Sequence, residues 1–195
     1  VTVIGEYEDS VGNIGATGAD DTATVDTTNP TATIVFDQTS LKKETGGDGA
    51  NESVVTITFS EGVTAFSNED LVVEGGTLTE LVSSAGDTVW TGTFTATDDS
   101  TTNAKVKFAD TANYTDVTGN DGATDAEAVA TVDTVSPDLA ASGIEITAAN
   151  LNDATNTSVV TITFTEAVTE FNNSDITVTG GCLLYTSPSP RDPVS

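Results

Sequence analysis

The stretch that decides the fold is "SVVTITFSEGVTAFSNEDLVVEGG" at residues 53–76, and it occurs twice in the chain. The second copy, "SVVTITFTEAVTEFNNSDITVTGG", occupies residues 158–181. Both copies open with apolar residues that alternate with threonine, and this two-residue period is typical of a strand with one buried face. In the first copy it places Val55, Ile57 and Phe59 on that face. The pattern predicts a repeated module of β-strands.

The repeat extends well beyond this stretch. "YEDSVGN" at residues 7–13 matches "YTDVTGN" at residues 114–120, and "TVDTTNP" at residues 24–30 matches "TVDTVSP" at residues 131–137. These pairs lie 107 residues apart, whereas the longer pair lies 105 apart, so the loop after the first strand is predicted to be two residues shorter in the later copy. An internal period of this length predicts tandem domains.

The period divides the chain into four segments. They are the end of a preceding repeat at residues 1–29, a complete repeat at 30–136, the start of a third at 137–181 and a non-native tail at 182–195. Alternation within the complete repeat predicts strands near residues 31–36, 53–60, 70–74, 77–83, 88–97, 104–109 and 126–133. About seven short strands in a repeat of about 107 residues predict an all-β fold of tandem immunoglobulin-like β-sandwiches. The aromatic residues Phe59, Trp90 and Phe94 are in phase with the buried face, so we interpret them as core.

The composition limits the partners. The chain of 195 residues has 31 acidic and 5 basic residues, no histidine and a formal net charge of −26. Such a charge repels nucleic acid and anionic membranes and favours a cation. Without histidine, and with Cys182 in the tail, a metal site requires oxygen ligands, which Ca²⁺ prefers. The candidate ligands are acidic and amide residues that recur between the repeats: Asp9 with Asp116, Asn13 with Asn120, Asp26 with Asp133, Glu61 with Glu166, and Asp70 with Asp175.

The predicted domain junctions are the favoured places for a cation. Asp26 and Asp133 lie shortly before a proline, which makes each connection short and stiff. A cation bound by Asp26 with Asp9, or by Asp133 with Asp116, would restrain the hinge. Two alternatives stay open here. In the first, Asp9 and Asp116 only order their own turns through hydrogen bonds. In the second, the acidic charge only maintains solubility in a saline habitat.

The three repeated motifs together resemble the bacterial immunoglobulin-like repeats that build the stalks of large RTX-type surface adhesins. The resemblance covers about residues 1–181. It implies tandem β-sandwiches that are secreted to the bacterial cell surface, that extend a terminal binding module and that are often stiffened by Ca²⁺. It implies partners that are neighbouring repeats of the same chain and calcium. We expect no nucleic acid, no membrane insertion and no obligate oligomer.

The residues themselves do not indicate an enzyme. There is no histidine to act as a base, no serine in a nucleophile elbow and no glycine-rich loop that leads from a strand into a helix. We therefore predict a structural extender, or stalk segment, of a secreted adhesin. The alternative is a module that itself recognises carbohydrate or ice through the sandwich.

The last residues depart from the repeat. After Gly181 the register is lost, and "CLLYTSPSPRD" at residues 182–192 resembles a translated sequencing adapter. Its prolines would obstruct the strand expected at this point. On this hypothesis the chain is a gene fragment from environmental DNA, and the third repeat would expose unpaired strand edges because it lacks the strands that follow.

Overall fold

Strands are the main secondary structure of the residues that the structure describes. The computed structural model describes residues 1–2, 5–15, 18, 20–43 and 45–184, and residues 185–195 of the predicted tail lie outside it. Its internal contacts define a first unit, Val1–Val135, and a second unit, Ser136–Ser195. The described residues form strands and two short 3-10 turns, and none of them forms an α-helix. The predicted all-β fold class is confirmed.

All strands of the first unit lie between residues 32 and 133. In chain order they are β1 (Ala32–Phe36), β2 (Ser40–Lys42), β3 (Glu52–Phe59), β4 (Val63–Thr64), β5 (Leu71–Glu74), β6 (Gly76–Leu78), β7 (Val82–Ser84), β8 (Val89–Ala96), β9 (Ala104–Phe108), β10 (Thr115–Asp116) and β11 (Glu127–Asp133). A 3-10 turn at Asn68–Asp70 precedes β5.

Two sheets form the sandwich. In the first sheet β3 lies between β1 and β8, and β6 and β7 pair along the other edge of β8. The second sheet has the order β2-β11-β9-β5, with β2 and β11 parallel and the other pairs antiparallel. A short ribbon of β4 and β10 lies beside them.

The core consists of alternate residues from both sheets, as the two-residue period predicts. Val55, Ile57 and Phe94 of the first sheet are fully buried, and so are Val106 and Phe108 of the second. Burying side chains of this size contributes about 1.5–3 kcal/mol each to the hydrophobic stabilisation of the fold. The interpretation of the aromatic residues as core is confirmed, because Phe59 and Phe94 are buried and Trp90 packs against the cluster that they form.

Three short strands of the first unit were not predicted. β2, β4 and β10 have two or three residues each, which is too short for an alternating pattern to be recognised. The strand predicted at residues 77–83 is in fact β6 and β7, both of which pair with β8.

The second unit contains a two-stranded sheet of β12 (Leu139–Ile146) and β13 (Val160–Phe164), followed by a 3-10 turn at Asn173–Asp175. β12 has a bulge between Leu139 and Ile144 that β1 lacks. Counted between equivalent paired residues, the bulge adds three residues to β12 relative to β1. The segment from Ile146 to Val160 is then five residues shorter than the segment from Phe36 to Val55. The prediction of a loop two residues shorter was therefore wrong in detail, because a sequence offset reports only the net difference.

Candidate metal centre

Three of the predicted ligands come together in the first unit. One carboxylate oxygen from each of Asp26, Glu61 and Asp116 lies within 4.8 Å of the others. Asp26 belongs to the segment before β1, Glu61 to the turn between β3 and β4, and Asp116 to β10. Asp26 is exposed, Glu61 is partly buried and Asp116 is buried. The sandwich therefore places the carboxylates of Glu61 and Asp116 beside that of Asp26, which belongs to the segment before β1.

The turn after β10 holds the Asp116 carboxylate in place. Its Oδ1 accepts backbone N–H groups from Thr118, Gly119 and Asn120 at 2.6–2.9 Å. Its Oδ2 accepts the Asn120 side-chain amide at 2.8 Å and the Thr118 hydroxyl at 3.0 Å. Burial alone would raise the pKa of Asp116, but the hydrogen bonds from Asn120 and Thr118 outweigh it and hold the pKa well below its usual range. The group is therefore ionised at neutral pH.

Glu61 experiences the opposite effect. Burial, and then the negative charges of Asp26 and Asp116, raise the pKa of Glu61 above its usual value. The neighbouring charges that act on Glu61 are thus all negative. Asn120 also connects the turn to the preceding segment, because its side-chain amide donates to the Asp26 carbonyl at 3.3 Å.

The lysines of the described chain lie elsewhere. All four are on β2, on β9 or directly after β2, and so belong to the second sheet. Lys43 contacts Asp99 at 2.7 Å and Asp98 at 3.2 Å. The other three face acidic residues across strand pairs: Lys42 faces Asp133, Lys105 faces Glu74 and Lys107 faces Glu127. Each lysine thus already has an acidic neighbour.

Two other predicted ligands cap 3-10 turns. Asp70 Oδ2 accepts the Ser67 N–H and Oδ1 accepts the Asn113 N–H, both at 2.9 Å. Asp175 Oδ2 accepts the Asn172 N–H at 2.9 Å in the same way. Neither carboxylate joins a cluster of three acidic groups in the described part of the chain. A metal-binding role for these two residues stays a prediction.

Asp9 and Asn13 form the same kind of turn as Asp116 and Asn120. Asp9 Oδ1 accepts the N–H groups of Val11 and Asn13, and Oδ2 accepts the Asn13 side-chain amide at 2.6 Å. Hydrogen bonds from Asn13 and Val11 lower the pKa of Asp9. Asp9 is not part of the cluster with Asp26. Asn13 and Asn120 each donate a hydrogen bond that orients a carboxylate. At Asp116, ordering of the turn is therefore compatible with membership of the three-carboxylate cluster.

Asp133 and Glu166 correspond in sequence to Asp26 and Glu61. Asp133 accepts the Val135 N–H at 3.3 Å and faces Lys42 across the pair of β2 with β11. In the second unit, Glu166 Oε1 is buried, and none of the residues that the structure describes donates a hydrogen bond to it. A buried oxygen without a donor is unfavourable for any polar group, and a metal-binding role for Asp133 and Glu166 stays a prediction.

Sequence analysis missed Thr118, whose hydroxyl donates to both carboxylate oxygens of Asp116. The corresponding residue of the earlier motif is Val11, so a search for recurrent residues contains no signal for it.

Two packed sheets with this strand order define an immunoglobulin-like β-sandwich. The chain matches the family model described as "Bacterial Ig-like domain" at residues 26–132 and again at residues 133–189, and it belongs to this family. Domains of this family are generally non-enzymatic structural modules that are typically extracellular or surface-exposed. Neither the search of curated proteins nor that of solved structures found a match. Among the described residues, no helix has the length and apolar character needed to span a membrane.

Proposed function

We propose that the chain is a structural extender, a stalk segment of a secreted bacterial cell-surface adhesin of the RTX type, stiffened by Ca²⁺ at its domain junctions. Tandem matches to a family of extracellular structural modules support the extender role. The observation that carries the calcium proposal is the approach of Asp26, Glu61 and Asp116 to within 4.8 Å of one another.

The three carboxylates fit the chemistry of Ca²⁺. This ion takes six to eight oxygen ligands from carboxylates, carbonyls and water, with flexible geometry. Asp116 is held ionised by its turn, and Glu61 has acidic neighbours whose repulsion a divalent cation would relieve. Because Asp26 precedes β1, an ion bound to all three would fasten the entering segment to the sandwich.

The sequence repeat extends the proposal along the chain. Asp9 corresponds to Asp116 in the preceding repeat, and Asp133 and Glu166 correspond to Asp26 and Glu61 in the next. We therefore propose one ligand set per repeat, composed of an aspartate before the first strand, a glutamate after the third strand and an aspartate at the end of the tenth.

We expect the substitution Glu61→Gln to have opposite effects with and without calcium. In EDTA the variant should melt higher than the parent protein, because it lacks a carboxylate whose pKa is raised by burial and by Asp26 and Asp116. In calcium it should melt lower, because it loses a ligand. At ten times the dissociation constant, the ion adds about 1.4 kcal/mol, or about 5 °C, to the parent. Calorimetry in EDTA, Mg²⁺ and Ca²⁺ at fixed ionic strength measures each effect.

The effect of Glu61→Gln on the melting temperature in EDTA should depend on pH. A carboxyl group with a raised pKa in the folded state stabilises the fold below its unfolded pKa and loses this contribution as the pH rises through the folded value. The advantage of Glu61→Gln in EDTA should therefore shrink as the pH falls. The matched control is Glu80→Gln, an exposed position outside the cluster, which should show no calcium-dependent change. Equal melting temperatures of the parent protein in all three solutions would contradict the calcium site.

The extender role predicts a change in shape with calcium and no binding of surface ligands. Small-angle scattering of the full chain should give a larger maximum dimension in Ca²⁺ than in EDTA, and Asp26→Asn should abolish the difference. Glycan arrays and ice-affinity assays should show no reproducible binding. Binding in either assay would support the alternative module for carbohydrate or ice instead.

A further inference from the structure

The outer face of the first sheet carries almost no charge. Alternate residues of its strands point away from the core, as the burial pattern of β3 shows. The outward residues of β1, β3, β6, β7 and β8 are valine, threonine and serine, apart from Glu52 at the start of β3. Glu52 is also the only charged residue in these five strands. A chain with a net charge of −26 thus presents one face that is nearly uncharged.

The strand register joins these outward residues into rows that cross the sheet. In one row, Val35 of β1 lies opposite Thr56 of β3. Thr56 lies opposite Thr91 of β8, which in turn lies opposite Val82 of β7. Val35 is 56% exposed and Val82 is 67% exposed. The uncharged surface therefore extends from one edge of the sheet to the other.

The second sheet shows that this lack of charge is not general to the sandwich. Its four strands contain three lysines and three acidic residues. Val129, which points outward from β11 and is 47% exposed, lies opposite Lys105. The two outer faces of the sandwich therefore differ: one is nearly uncharged, and the other carries charges of both signs.

The outward residues of β3 recur with the repeat. The sequence "VVTITF" at residues 54–59 is unchanged at residues 159–164, and the identity includes the outward residues Val54, Thr56 and Thr58. Packing of the core selects the inward residues of a strand, so burial does not account for the identity of these three. What they share is a β-branched side chain without charge.

Electrostatics determines the kind of partner that this face accepts. A basic partner is attracted to the acidic residues elsewhere on the chain, and an acidic partner is repelled by the net charge of −26. A nearly uncharged face of β-branched side chains avoids both effects, and it can pack on a like face as two sheets do, about 10 Å apart. Each copy of the chain supplies such a face.

The size of the face sets the strength of the contact. Four strand positions about 4.8 Å apart and a length of about 24 Å along β3 give about 450 Å² per molecule. A stable interface buries about 800 Å² per partner. One pair of faces should therefore form a weak, reversible dimer.

We infer that the outer face of the first sheet is a self-association surface, through which two copies of this chain pack face to face. The same residues would contact one another from both copies, which is a closed twofold arrangement. In a stalk segment on a cell surface, such contacts would link neighbouring molecules side by side. The association itself depends neither on calcium nor on the stalk role.

Sedimentation equilibrium of the full chain over about 0.01–1 mM tests the inference. EDTA excludes bridging by calcium, and a reducing agent excludes disulfides because Cys182 is exposed. We expect a reversible dimer with a dissociation constant on the order of 0.1–1 mM. It should be at least about threefold tighter at about 1 M than at about 0.15 M NaCl, because salt screens the repulsion between the acidic chains.

A matched pair of variants locates the contact. Val54→Glu should weaken the dimer at least about tenfold, because it places like charges against each other in the interface. The control is Val129→Glu, which makes the same change of charge on the other sheet. The two valines are 44% and 47% exposed. Val129→Glu should change the dissociation constant less than about twofold.

A further measurement needs no variant. In methyl NMR spectra of the parent chain, dilution should shift the signals of Val35, Val54 and Val82 and leave that of Val129 in place. A chain that stays monomeric at every concentration would overturn the inference and leave a different uncharged partner as the occupant of this face. A dimer that weakens with salt, or that Val129→Glu weakens as much as Val54→Glu does, would also overturn it.

Discussion

Replacing Asp70 with alanine should lower the free energy of unfolding of the first unit by about 3 kcal/mol, as much in EDTA as in calcium. The side chain is 7% exposed and its two oxygens accept the N–H groups of Ser67 and Asn113. The variant loses a capping interaction and leaves the N–H of Asn113, a residue from a distant part of the chain, without its acceptor. Urea denaturation monitored through Trp90 measures the loss.

The matched control for Asp70→Ala is Glu69→Ala, in the same 3-10 turn. The Glu69 side chain is exposed, so its removal should change the stability by less than about 0.5 kcal/mol. The comparison also separates capping from metal binding. If the destabilisation by Asp70→Ala doubled in calcium relative to EDTA, the residue would be a ligand, as its recurrence at Asp175 predicted, and its role as a cap would be secondary.

Gly122→Ala should destabilise the first unit by about 2–3 kcal/mol, because there is no space for a methyl group. A Cβ at this position would overlap Cε2 and Cζ of Tyr114, which is buried among Phe59, Phe66 and Phe108. The ring cannot easily retreat, because its hydroxyl donates to the Ala123 carbonyl. Burial, followed by the charges of Asp125 and Asp70, raises the pKa of Tyr114 to about 12, so the phenol remains a neutral donor.

Chemical denaturation of Gly122→Ala and of a matched glycine variant tests this prediction. Gly5→Ala is the control, because a Cβ at Gly5 would have no neighbour within 4 Å. Combining Gly122→Ala with Tyr114→Leu should cost less than the sum of the two single changes, since the overlap disappears with the ring. Additive costs would show that the overlap is not the cause. The same overlap occurs between Gly15 and Tyr7, so this packing recurs with the repeat.

The strands of the first unit were largely predictable from the sequence, because burial on one face imposes a strict two-residue period. "VVTITF" and "AKVKF" became β3 and β9 with the expected residues inward. The pairing of β2 with β11 was not predictable, since a strand of three residues depends on its neighbours for its hydrogen bonds rather than on its own pattern.

The candidate site was predictable in its members but not in its grouping. Recurrence selected Asp26, Glu61 and Asp116, because an aspartate or glutamate that is needed in each repeat must recur at the same position. The expectation that Asp26 would join Asp9 did not anticipate the cluster, in which Asp26 lies beside a turn 90 residues later in the chain. Contacts over such distances follow from the sheet topology, and local spacing contains no information about them.

The parallel pairing of β2 with β11 has a mechanical consequence for the first unit. β2 lies near the start of the sandwich and β11 at its end, and both run in the same direction. Tension that pulls the two ends apart would slide these strands past each other, so that the hydrogen bonds around Leu41 and Val132 would bear the load together. At the end of β11, Thr134 is buried and its hydroxyl donates to the Thr97 carbonyl at 2.7 Å. Force transmitted from the end of β11 would therefore act first on Thr134, which this hydrogen bond anchors. The paired strands β2 and β11 would then resist in shear, with their hydrogen bonds loaded together instead of breaking one at a time.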